Sequence, residues 1–138
     1  MMPTTRWDDI EKTIIDHIGD NWSATSIAYP NVDFNPISLD AWLQVHVLPT
    51  DAYQYTITGG NTGQMHKGIL HLNLFARRNK GTGTIKGYVD DLCDMFNHTT
   101  LTISGNDVIQ FSVPKPKVFG PDGDWWREVV RVEFEYLD

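Results

Sequence analysis

Between Gly68 and Gly83 the chain alternates apolar and polar residues, then turns on glycines. Leu70, Leu72 and Leu74 fall on one face of an extended segment, and His71 and Asn73 fall on the other. Such a strand buries one side only, so its leucine face needs another layer of structure against it. The turn that follows, Arg77-Arg78-Asn79-Lys80-Gly81-Thr82-Gly83, is basic in a chain of net charge −7. It holds no phosphate-binding motif. That combination points to a surface for another macromolecule rather than a pocket for a small substrate.

The rest of the pattern supplies the missing layer. Trp7, Ile10, Ile14 and Ile18 recur at helical spacing, with Asp8, Asp9, Glu11 and Lys12 between them. Thr5-Arg6-Trp7-Asp8 reads as a capping box and Gly19 as a stop, so a helix is predicted over about 5–18. Ile85, Val89, Leu92 and Phe96 give a second helical stripe over about 84–97, with Tyr88 and Cys93 at its border and Asp90, Asp91 and Asp94 outside. Strands are predicted at Ser26–Tyr29, at Ala41–Leu48 (ended by Pro49), at Tyr53–Thr58 and at Gly68–Ala76. Leu101–Ile103 and Asp107–Val113 flank Ser104-Gly105-Asn106 as a hairpin. Pro114–Asp124, rich in proline and glycine, reads as loop. Trp125–Leu137 closes the chain as a strand with Val130, Val132, Phe134 and Tyr136 inward. Residues 31–36 form an irregular connection, and residues 59–67 a long mobile loop. The order predicts one α+β domain over residues 1–138, a mostly antiparallel sheet with two helices packed on one face.

Charge and cysteine content narrow the function. An acidic chain gains no counterion-release affinity for DNA, which argues against nucleic-acid binding as its main task. A surface that lets DNA pass without sticking stays open. The single cysteine allows no internal disulfide and fits a reducing compartment. Met1–Arg6 has no apolar run behind it, unlike a signal peptide, and no stretch is apolar enough to span a membrane.

Several local signatures, in this order, resemble the tail terminator-like proteins of long-tailed bacteriophages. They are Pro30-Asn31-Val32-Asp33-Phe34-Asn35-Pro36, then Trp42–Pro49 with its closing leucine-proline pair, then Gly68–Phe75. The Gly81-Thr82-Gly83 turn, Asp90-Asp91-Leu92, Phe96 and Trp125-Trp126 follow. The chain departs from the family at Arg77-Arg78-Asn79-Lys80, where a proline commonly breaks the strand. The resemblance implies a non-enzymatic virion protein, made in the host bacterial cytoplasm, that binds no cofactor. It implies a ring, typically of six copies, that ends the tail tube and meets the head–tail connector. Six such acidic copies would give a lumen that repels the DNA backbone. A neck or head–tail completion protein is the nearest alternative.

Other chemistry has weaker support. His46 and His71 lie on polar strand faces and form a candidate metal pair, or a small ligand-binding site, but no motif supplies further ligands. Cys93 borders an apolar stripe and reads as an inert thiol. Asp90, Asp91 and Asp94 lack the loop spacing of a calcium site and read as a solvated face. Ser104 and Ser112 lack a nucleophile elbow. Gly81-Thr82-Gly83, without a following Gly or Lys, favours a plain turn over an anion site. For assembly, Arg77, Arg78 and Lys80 are paired with Asp90, Asp91 and Asp94 as opposite halves of a ring contact. Trp125 and Trp126 are candidate anchors, at most one of them outward. Gln64, Met65 and His66, in the 59–67 loop, are candidate docking residues that order on contact.

Overall fold

The computed structural model describes residues 7–30, 32–56, 62–78, 81–104 and 107–137. Their order is α1 (Trp7–Asn21), β1 (Ser26–Ala28), β2 (Ala41–Thr56), β3 (Thr62–Arg77), α2 (Gly83–Phe96), β4 (Thr100–Ser104), β5 (Asp107–Phe111), β6 (Lys115–Asp122) and β7 (Trp125–Leu137). The predicted α+β class holds: two helices pack on one face of a curled, largely antiparallel sheet. The strand order is β1-β2-β3-β7-β5-β4, and among the described residues only β1 runs parallel to its neighbour. β6 shares one edge of β7 with β5: β6 pairs along Trp125–Arg131 and β5 along Phe134–Tyr136.

Alternation decides which side chains enter the core. Leu43 and Val45 of β2, Leu70, Leu72 and Leu74 of β3, and Val130, Val132, Phe134 and Tyr136 of β7 share the helix side and are buried. Ile10, Ile14 and Ile18 of α1 and Ile85, Val89, Leu92 and Phe96 of α2 close over them. Removing each such side chain from water stabilises the fold by about 1.5–3 kcal/mol. Both helical stripes are those read from spacing. Helix α1 runs past Gly19, because Ile18 still packs inward and Trp22 N–H still donates to the Ile18 carbonyl at 2.8 Å. Its proposed cap, Thr5, lies outside the described residues.

Three strand boundaries differ from expectation, each for a physical reason. Pro49 does not end β2. A bulge between Pro49 and Asp51 absorbs it, and pairing with β3 resumes at Asp51↔Lys67 and runs to Thr56↔Thr62. The separate Tyr53 segment is therefore the second half of β2, and residues 62–67 belong to β3 rather than to a mobile loop. Residues 57–61 lie outside the described part. Likewise, Lys115–Asp122 is a strand rather than loop. Among the described residues its only partner is β7, so Pro116 and Pro121 forfeit no hydrogen bond to a second described strand. A register shift between Val118 and Gly120 and the positive φ of Gly120 (86°) and Gly123 (61°) shape its hairpin to β7.

Gly68 marks the tightest approach of backbone to core. A Cβ there would meet the Phe134 ring tip and come within 2.9 Å of the Leu48 carbonyl oxygen. Gly68→Ala is expected to cost about 2 kcal/mol through overpacking, measured as a lowered denaturation midpoint. An unchanged midpoint would refute the close approach.

Candidate assembly surface

Among the described residues, the helices cover one side of the sheet only. The other side is organised in cross-strand rows by the registers of β2, β3, β7 and β6. One row is Trp42–Phe75–Arg127, the next Gln44–Asn73–Val129–Lys117, and the third His46–His71–Arg131–Lys115. Aromatic rings form a band across the first row. Phe34 lies 5.2 Å from Trp42, Trp42 stacks on Phe75 at 4.2 Å and 9°, and Trp125 meets Trp42 edge-on at 6.0 Å. Cations cap the band: Arg77 sits 4.2 Å over Trp125, and Arg127 sits 4.6 Å over Phe119.

Asn73 is the polar hub beneath this band. It is 2% exposed, and its Oδ1 accepts from Arg127 Nε at 3.0 Å and Nη2 at 2.7 Å. Its Nδ2 donates to Gln44 Oε1 at 3.4 Å and lies 3.3 Å from His71 Nδ1. A buried amide needs such partners, and a charged donor strengthens them. The sequence places Asn73 on the polar face of its strand but shows neither its burial nor its partner Arg127. Asn73 differs from an ordinary outward polar residue only through the long side chains that fold over it. Burial first, then the charges of Arg127, His46 and Arg131, hold the His71 pKa below its ordinary 6.5.

A second polar pair lies on the helix side. Glu128 alternates inward with Trp126 and Val130, and its side chain is 3% exposed. It accepts from Lys86 Nζ of α2 at 2.6 Å and from Trp126 Nε1 at 2.9 Å. This pair ties α2 to β7. The sequence carried a signal for it, an acid in the inward register of β7 between two apolar positions.

The expected assembly residues fall into distinct settings. Arg77 is engaged within its own chain: besides Trp125, its guanidinium donates to the carbonyls of Leu39 and Ile37. Arg78 is exposed, and its Nη1 donates to the Gly123 carbonyl at 3.1 Å, tying the end of β3 to the β6–β7 turn. Lys80 lies outside the described residues. Asp90, Asp91 and Asp94 are exposed on α2. Trp126 packs against the core while Trp125 lies on the open face, as strand alternation required. Gln64 is in β3, and its side chain lies outside the described part. Met65 is half-buried. His66 packs on the helix side, edge-on to Trp7 at 6.0 Å and stacked with Tyr136 at 5.8 Å.

The arrangement offers little to a catalyst. His46 and His71 do face each other across β2 and β3. Their neighbours are arginines, and no group of three or more His, Cys, Asp or Glu residues converges among the described residues. The Cys93 thiol is pushed up in pKa by burial and then by Asp90 and Asp94, which keeps it protonated and slow to react. Thr82, at the start of α2, makes no side-chain capping bond. No helix among the described residues is long and apolar enough to cross a membrane.

The sheet thus has one face covered by helices and one without them. The family model for phage tail terminator proteins matches residues 9–134, and the chain belongs to that family. It is thus a structural protein of the phage tail. A solved structure with 16% sequence identity aligns over 96% of this chain and 95% of its own, with a TM-score of 0.67, and shows the same fold. No curated protein matches.

Two outcomes test this chemistry. Lys86→Ala leaves a buried carboxylate without its cation and is expected to cost about 2 kcal/mol. Adding Glu128→Gln should recover part of that loss in equilibrium unfolding; no recovery would sink the pair's role. The His71 effect has a definite sign. Its folded pKa is lowered, so the unfolded chain binds more protons. Its stabilisation is present above pH 6.5 and is lost as pH falls through that value toward the folded pKa. His71→Gln should flatten that part of the stability–pH profile, measured by denaturant melts between pH 5 and 7.5 (roughly the span of histidine titration).

Proposed function

We propose that this chain ends the tail tube as a closed ring, six copies in the form the family resemblance carries. The ring stops further addition of tube protein and presents a surface for the head–tail connector. DNA passes through its lumen without specific binding, and the protein is made in the host bacterial cytoplasm. The observation that carries this reading is the family match over residues 9–134. The one-sided sheet supports it, since a face left without its own helices is suited to a neighbour.

Within this reading, the exposed acids of α2, the Arg77–Lys80 turn and Trp125 serve subunit or partner contacts. So does the outer end of the β2–β3 hairpin, near Gln64, Met65 and His66. Among the described residues β3 pairs with β7 from Met65 onward, and the rungs from Gln54↔Gln64 to Thr56↔Thr62 join β2 and β3 alone. A two-stranded extension gains stability from anything it docks on.

Deleting the gene from its phage and imaging tails by negative stain tests the proposal. Overlong, headless tails are expected. Tails of normal length beside filled, detached heads would assign the protein to the neck instead.

A further inference from the structure

We propose that the uncovered sheet face of one copy docks on the acidic helix layer of a second copy, head to tail. This rests on the ring reading and names its subunit contact. The two faces lie on opposite sides of the sheet and carry opposite charge. Helices α1 and α2 together bear eight carboxylates against two lysines. Both lysines are already engaged, Lys12 with Asp16 at 2.9 Å and Lys86 with Glu128 at 2.6 Å. Neither helix has a basic residue in its last turn, so the carbonyl ends of both dipoles add to the negative field.

The sheet face has the reverse balance. Arg127, Arg131, Lys115 and Lys117 cluster on β7 and β6 around His71. Glu133 answers part of this, 3.7 Å from both Lys115 and Arg131, and the row beyond it sets Asp51 and Glu135 against Lys67, 3.4 Å from Glu135, which leaves cations in excess on the face. Like-on-like pairing through either face would juxtapose equal charges, which disfavours a two-fold dimer through either. Head-to-tail pairing brings unlike charges together, and that geometry closes into rings. The composition of the face agrees: Trp42 and Arg127, both half-buried, are residue types enriched in protein interfaces, Phe75 is buried beneath them, and Phe119 at their border is 49% exposed. A nucleic acid fits less well. Trp42 and Phe75 stack on each other rather than offering open rings, and the Glu133 carboxylate sits among the cations.

Sedimentation velocity on the purified protein tests the contact with two variants. One carries Lys117→Glu and Arg131→Glu; the other carries Asp90→Lys and Asp94→Lys. The unmodified protein should self-associate at low salt and less at high salt. Each variant alone should associate roughly tenfold more weakly, and an equimolar mixture of the two should regain association, which misfolded variants would not do. An unmodified protein that stays monomeric at low salt, variants that associate normally, or a mixture that does not recover would each overturn the proposal. So would duplex DNA bound by the unmodified protein and lost on Arg131→Glu, which would give the face to nucleic acid. The outcome is separable from the ring reading: overlong tails on gene deletion would uphold termination even if this contact failed.

Discussion

The antiparallel register between β3 and β7 is the constraint on which the rest depends. It sets Leu70 opposite Val132 and Leu72 opposite Val130 under the helices, and His71 opposite Arg131 on the far side. Side chains alternate with a period of two, so a slip of one residue would send the leucines outward and bury the histidine and arginine. The core therefore holds the register, and the register in turn composes the open face. Every row of that face, from the aromatic band to the basic cluster, is aligned by packing that happens on the opposite side of the sheet.

This coupling explains how an acidic protein keeps a positively charged surface. The acids are concentrated on helices, where the outward positions left by the apolar stripes are many. The cations of β6 and β7 lie at the outward positions of their strands, around Val129 and beside Phe75. Asn73 and Arg127 then fix the side chains within this face, since the guanidinium holds both the amide oxygen and the rings of Phe75 and Phe119. A surface braced in this way is ordered before it meets a partner, which reduces the entropy lost on association.

Much of this was legible in the sequence, and the misses share a cause. Both helical stripes and the inward sets of β2, β3 and β7 followed from spacing, because burial on one side leaves a strict period. Trp125 and Trp126 separated as alternation demands. Proline misled twice, at Pro49 and at Pro116, because its cost depends on whether the position faces a hydrogen-bonding neighbour, which is a property of the sheet and not of the residue. The Arg77–Lys80 segment is conspicuous in the sequence by its charge density. The larger basic cluster was spread over Lys115, Lys117, Arg127 and Arg131, and only strand pairing gathers it. Glu128 was readable as an inward acid, but its partner Lys86 lies 42 residues away.

The prolines of β6 have a consequence for behaviour at high concentration. A naked sheet edge is a template on which further strands add without limit, the route to fibrous aggregates. Pro116 and Pro121 break the ladder of donors such growth requires, and the shift at Phe119 bends what is left. Copies can then crowd together without zippering along that edge, and contacts there fall to side chains, whose shape and charge are satisfied by a fixed number of neighbours.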